Sequence, residues 1–260
     1  MGGTLAAIAD PAIRAAFRES LLRAADDELV IGHRHSEWTG FGPDIESDVA
    51  MSSIAQEEIG HARAFYGQIS DGEEGGGDHL AFGRAPAQYL NAILTERENG
   101  GWESSILRLV LYERYEAARL QWVSVSGQEP VAGLAKALLR EEQYHALFAD
   151  AWLTRMSRGS DEGHTRVQTA LEALWPDALG LFEATEIDAQ LLATGILKAG
   201  PDAQRQRWEA EVCPVIEACG LIVPASPPRT GGRQGRHTPD FDRLHAHLTE
   251  VRRSDPEARW

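Results

Sequence analysis

IAQEEIGHARAF (residues 54–65) and LLREEQYHALFADAW (residues 138–152) are the stretches whose periodicity decides the fold. In the first, Ile54, Glu58, His61 and Phe65 recur at steps of four, three and four. In the second, Leu138, Glu142, His145 and Trp152 recur at steps of four, three and seven. These steps put each set on one face of an α-helix. That face should be apolar, because it turns toward the core. Instead its centre holds a glutamate and, three residues later, a histidine.

Two further helical stretches repeat the anomaly. Phe17, Leu21, Glu28 and His35 share one stripe, and Ile106, Leu109, Val110, Glu113, Ala117 and Leu120 share another. Four helices therefore each direct a carboxylate into the expected core. An isolated buried carboxylate is costly and would become neutral rather than stay charged. Two divalent cations remove the conflict, since four carboxylates and two ferrous ions cancel in charge. One Glu from each of two helices and Glu-x-x-His from each of the other two is the ligand set of carboxylate-bridged di-iron bundles. The expected metal ligands, and the expected catalytic centre, are Glu28, Glu58, His61, Glu113, Glu142 and His145. Manganese suits the same donors as iron. Zinc fits less well, since it favours four ligands around one ion.

A single Glu-x-x-His occurs often by chance and carries little weight. Two copies on separate long helices, each centred on an apolar face, carry far more. Other candidates are weaker. Glu116 rivals Glu113, and Glu37 rivals Glu28 or supports it from outside. Glu57 and Glu141, beside the expected ligands, read as solvent-facing or supporting carboxylates. His33 and His35 point to different sides of their helix and read as surface or supporting residues, as do His245 and His247. Tyr112, Tyr115 and Tyr144 are cavity-lining or, more simply, core-packing residues.

The rest of the chain is helical in pattern, without alternating β-branched runs. Helices are expected over 11–38, 44–69, 86–94, 102–124, 131–156, 161–174, near 186–197, near 202–219, and over 241–252. Residues 223–239, rich in Pro, Gly and Arg, read as irregular. The fold class is all-α: a ferritin-like four-helix bundle in residues 1–156 and accessory helices in 157–260, together one domain. The link between the second and third long helices is the longest, as an antiparallel bundle with one crossover requires.

Composition excludes several classes of function. The 260 residues carry a net charge of −15, so nucleic acid and anionic membrane surfaces are not expected partners. No run of 18 apolar residues marks a membrane span, and the N-terminus lacks a signal-peptide pattern. Cys213 and Cys219 read as free thiols in a reducing compartment, which places the protein in the cytoplasm. The stretch GGRQGRH at 231–237 is no phosphate loop, because no strand precedes it and no Lys-Ser/Thr follows. It reads as a seat for an anionic group or a subunit.

Five segments bear a family resemblance: DDELVIGHRHSEWTGFGP (26–43), the glycine-rich loop after the second helix, ALEALWPDALGLF (170–182), RTGGRQGRHT (229–238) and the final ARW (258–260). Through them the chain resembles, over nearly its whole length, the ferritin-like subunits of bacterial phenylacetyl-CoA epoxidase, a multicomponent ring-oxygenating enzyme. The framework is most similar to the smaller, structural subunit, which has largely lost its metal ligands. At Glu28, Glu58, His61, Glu113, Glu142 and His145 it resembles the catalytic subunit instead, with Glu113 standing where that subunit has an aspartate. The resemblance implies a di-iron oxygenase that uses O2 to oxidise an organic substrate, with an aromatic acyl-CoA as one candidate. A separate reductase is implied, because the chain has no flavin, nicotinamide or iron–sulfur fingerprint. A homodimer or a complex with a homologous ferritin-like subunit is also implied. The rival expectations are a non-catalytic structural subunit of such an oxygenase and, behind it, a ferroxidase or peroxide scavenger.

Overall fold

The computed structural model describes residues 4–70 and 75–255. Part of the glycine-rich loop and the terminal ARW lie outside the described residues. Eleven α-helices occur among the described residues, with short 3-10 turns and no strand. They are α1 (Pro11–Ser36), α2 (Ile45–Ile69), α3 (Gly76–Phe82), α4 (Ile93–Glu96), α5 (Trp102–Ser124), α6 (Val131–Gly159), α7 (Asp161–Leu179), α8 (Glu186–Ala193), α9 (Pro201–Ala218), α10 (Pro239–Leu248) and α11 (Glu250–Ser254). This is the all-α, ferritin-like architecture that the periodicity predicts. None of these helices is long and apolar enough to cross a membrane.

Helix starts follow local chemistry. Asp10 accepts from the Ala12 and Ile13 backbone N–H groups, with Pro11 in the first turn of α1. Asp44 caps α2 through the Ser47 N–H, and Ser160 caps α7 through the Gly163 N–H.

Long helices α1, α2, α5 and α6 form the bundle. The α1–α2 and α5–α6 hairpins lie side by side, and α3, α4 and the intervening chain carry the crossover between them. Trp38 Nε1 donates to Ser105 Oγ, while Arg119 near the other end of α5 donates to Glu28, so α1 and α5 run antiparallel. Trp152 Nε1 donates to Ser47 Oγ and His61 meets Glu141, so α2 and α6 also run antiparallel. Gly32 lets α1 approach α2 at mid-bundle: a Cβ there would stand 2.9 Å from Glu58 Cβ. Apolar cores fill both ends, around Leu107, Val110, Leu153 and Trp208 at one and Phe17, Phe65, Leu120 and Leu138 at the other. The carboxylate layer lies between them.

Some boundaries differ from the periodicity. Helix α1 stops at Ser36, and the N–H groups of Trp38, Thr39 and Phe41 turn to carbonyls three residues back. No helix spans 86–94. A 3-10 turn, Pro86–Gln88, precedes α4, because the Leu90 and Ala92 N–H groups go to the Asp26 and Asp27 carboxylates. Helix α7 passes through Pro176 to Leu179 rather than ending at 174. The carbonyl that Pro176 cannot serve belongs to Glu172, which is exposed. Helix α6 runs on to Gly159, α8 ends at Ala193, and the C-terminal helix divides at Thr249 into α10 and α11.

Candidate metal centre

Glu28 comes from α1, Glu58 and His61 from α2, Glu113 from α5, and Glu142 and His145 from α6. All six are buried, none exposing more than 2% of its surface. Their donor atoms fall into two groups, each within 4.8 Å: Glu28, Glu58 and His61, and Glu58, Glu113, Glu142 and His145. Glu58 belongs to both. His61 Nδ1 lies 3.8 Å from Glu28 Oε2 and 3.5 Å from Glu142 Oε1. His145 Nδ1 lies 3.1 Å from Glu113 Oε2 and 3.3 Å from Glu58 Oε1. The two imidazoles stack at 6.5 Å between centroids.

Both histidines turn Nδ1 inward and Nε2 outward. Glu141 Oε2 accepts from His61 Nε2 at 2.8 Å, and Glu57 Oε2 accepts from His145 Nε2 at 2.6 Å. Each helix thus supplies the carboxylate that holds the other helix's histidine. A carboxylate on Nε2 keeps a proton there, so Nδ1 is the nitrogen that would face a cation. Glu57 and Glu141 stand next to the ligand candidates, but their crossed roles appear only once α2 and α6 lie antiparallel.

The electrostatics show the strain that a cation would relieve. Glu28 Oε2, both oxygens of Glu58, Glu113 Oε1, both oxygens of Glu142, and His61 Nδ1 are buried without a hydrogen-bond partner. Burial, then the Glu58 carboxylate, pushes Glu28 up to about 8. Burial and Glu113 likewise push Glu142 well above the carboxylate range. Burial disfavours a charged imidazole, but the surrounding carboxylates outweigh it. They hold His61 at about 10 and His145 at about 12. Mixed carboxylate and imidazole donors of this kind suit two divalent ions of the iron or manganese type. The residues present fit such a pair.

With this geometry in view, comparison with known proteins is direct. The model of the family described as phenylacetic acid catabolic protein matches residues 7–260. The chain belongs to the phenylacetic acid catabolic protein family. It is 33% identical over 241 residues to the C subunit of 1,2-phenylacetyl-CoA epoxidase from Escherichia coli (strain K12), covering 92% of this chain and 97% of that protein.

The rival residues Glu116 and Glu37 fall outside both donor groups. Glu116 is outside both groups and pairs with Arg119, whose Nε reaches Glu116 Oε2 at 2.6 Å and whose Nη2 also reaches Glu28 Oε1 at 3.1 Å. Glu37 follows α1 and accepts from Arg34 and Asn99. Nine residues of helical rise put it about 14 Å from Glu28 along the axis. His35 is fully buried with neither ring nitrogen bonded; burial, then Arg108 and His145, keep it neutral. His33 is half-buried, His247 is exposed, and His245 Nε2 donates to the Arg84 carbonyl. Tyr112 is buried near the layer with its hydroxyl unpartnered, and Tyr115 accepts from Arg233. Tyr144 is exposed and lines no core. Cys213 and Cys219 are free thiols.

The segment 229–238 does seat anions, and they are the chain's own carboxylates. Arg233 lies 2.7 Å from Asp27 Oδ2. The Gly231 and Arg233 N–H groups and the Gln234 amide bind Glu183. His237 and the Thr238 N–H bind Glu96. Gly235, at φ +70°, passes so near the Ala87 carbonyl that a Cβ would stand 2.1 Å from it. Asp26, next to Asp27, is likewise fully buried and held by Arg84, Tyr66 and the Leu90 N–H. Helix α1 is thus fixed just before Glu28 by salt bridges to Arg84 and Arg233, which come from outside the four long helices.

Proposed function

We propose that this chain is a di-iron oxidoreductase subunit of an oxygenase of the phenylacetyl-CoA epoxidase type. The observation that carries the reading is the buried layer of four glutamates and two histidines whose inward atoms lack partners. Glu28, Glu58 and His61 would hold one ion, and Glu58, Glu113, Glu142 and His145 the other; manganese is the alternative metal. When bound, the iron pair supplies the reduction of O2, with one oxygen atom entering an organic substrate and the other leaving as water.

The protein's own contributions follow from its geometry. Glu57 and Glu141 keep a proton on each outer Nε2 and so orient both imidazoles. Arg119 fixes the orientation of Glu28 through Oε1 and leaves Oε2 toward the metal layer. The apolar cores above and below exclude bulk water from the carboxylates. The name of the Escherichia coli relative points to an aromatic acyl-CoA as substrate and to work within a complex. Electrons would come from a separate reductase, and a homologous ferritin-like subunit or a second copy of the chain is the expected neighbour. The free thiols Cys213 and Cys219 are in keeping with a cytoplasmic setting.

A specific observation also favours a second reading, that of a scaffold: the likeness to the Escherichia coli C subunit runs almost end to end. One experiment separates the two. The metal-loaded chain, with a reductase and phenylacetyl-CoA under 18O2, should yield product labelled with one 18O atom, and Glu58→Ala/His61→Ala should yield none. Stable assembly with a ligand-bearing homologue while this chain binds no metal and turns over nothing would favour the scaffold.

A further inference from the structure

Three of the chain's seven tryptophans meet at the end of the bundle where α1 has stopped, α5 begins and α6 passes. The Trp102 ring lies 4.9 Å from that of Trp38 and 5.4 Å from that of Trp152, edge-on to both. Phe148, one helical turn beyond His145 on α6, has its ring 6.4 Å from Trp102. A row of rings therefore starts one turn from a metal-ligand candidate. It passes through Phe148 and Trp102 and ends at Trp38 and Trp152, both half-buried and so open in part to solvent.

Packing alone does not call for an indole at the centre of this row. The Trp102 Nε1–H is buried without an acceptor, a cost that phenylalanine would avoid in the same place. What indole offers and a phenyl ring does not is the ready loss of one electron. The two outer indoles differ in this respect. The Arg155 guanidinium stacks 4.6 Å from the centre of the Trp152 ring, and a cation held there opposes removal of an electron. Trp38 instead donates its Nε1–H to Ser105 Oγ at 2.9 Å, which leaves its ring the better seat for positive charge.

We propose that Phe148, Trp102 and Trp38 form a path that carries oxidising equivalents from the metal layer to the surface when O2 is reduced with no organic substrate in place. The path rests on the metal reading above. Trp102 gives one electron to the oxidised iron pair, with Phe148 bridging the gap without being oxidised. Trp38 then gives one electron to the Trp102 radical cation. Trp102 keeps its proton meanwhile, because no base accepts its N–H. A soluble thiol refills Trp38, losing one electron and one proton. Where no thiol is present, Trp38 loses a second electron by the same route and takes up water, leaving a hydroxylated indole and two protons in solvent. The ligand layer is thereby spared its own oxidation.

The test loads the full-length chain with ferrous iron anaerobically, then admits O2 with catalase present and no substrate, and reads peptide masses. Trp38 should gain one oxygen atom while Trp152 stays largely unmodified, and an added thiol should suppress the change. Trp102→Phe keeps the packing and should take up iron at the wild-type level. It should nevertheless lose the Trp38 oxidation, with oxidation rising at His61 and His145 instead. Phe148→Leu, a second break in the row, should likewise lose it. An iron-bearing chain whose Trp38 stays unmodified would overturn the proposal. So would Trp38 oxidation that persists in the folded, iron-bearing variants, since it would then come from solution rather than along the rings. A chain that takes up no iron would overturn the metal reading and the path together, so iron content measured on the same samples tells the two failures apart.

Discussion

Replacing Glu141 with alanine tests the crossed support of the two histidines. Glu141 Oε2 holds His61 Nε2 at 2.8 Å, and no other described residue bonds that nitrogen. Carboxylates in this position are worth about 10- to 100-fold in metal affinity, or roughly 1.4–2.8 kcal/mol. The Glu141 side chain is 46% exposed, so solvent screens it and the lower half of that range applies. The metal-free protein should lose less than about 1 kcal/mol of stability, because a half-exposed ion pair contributes little. Competition with a chromophoric chelator measures the affinity, and one of the two ions should weaken while the other holds. Glu57→Ala should weaken the other ion, through His145. In a His61→Ala background, Glu141→Ala should have no further effect. An unchanged affinity, or a loss that persists without His61, would refute the argument that Glu141 works through His61.

Other consequences are as specific. Metal should bind more tightly as pH rises from about 6 to 9, with protons released. In the metal-free protein Glu28 is raised to about 8 and His61 to about 10, so the ions must displace protons held there; calorimetry in buffers of different ionisation enthalpy counts them. Raised carboxyl groups act on folding with the opposite sign. Glu28 and Glu116, both lifted to about 8, make the metal-free protein less stable as pH climbs from the ordinary carboxylate range through 8, which denaturant melts would show. Arg233→Ala strips the fully buried Asp27 of its partner, and should cost about 3–5 kcal/mol in a urea melt. Gly235→Ala forces a left-handed backbone and a clash with the Ala87 carbonyl, and should cost about 1–3 kcal/mol or more by the same assay.

The phase of Glu28, Glu58, Glu113 and Glu142 was legible because a helix repeats every 3.6 residues, and a carboxylate in the apolar stripe stands out without knowledge of its neighbours. Glu113 and Glu116 could not be separated that way, since both lie within one turn of the core-facing stripe. The arginine three residues after Glu116 is the distinguishing mark, because it takes up that carboxylate while Glu113 faces His145. Asp26 and Asp27 gave no periodic signal at all. Their partners, Arg84 and Arg233, are far along the chain in loops, and only the tertiary fold brings them together. The same two aspartates explain the missing helix near residue 90, where tertiary hydrogen bonds override local propensity. The roles of Glu57 and Glu141 also lie between helices and so are absent from either helix read alone.

Metal content of the purified chain, beside its Glu58→Ala/His61→Ala variant, tests the central claim most directly. The account predicts about two iron ions per chain after anaerobic ferrous loading, the sum of the two donor groups, and loss of both in the variant, since Glu58 is shared between them. A wild-type chain that takes up no metal under those conditions would contradict it.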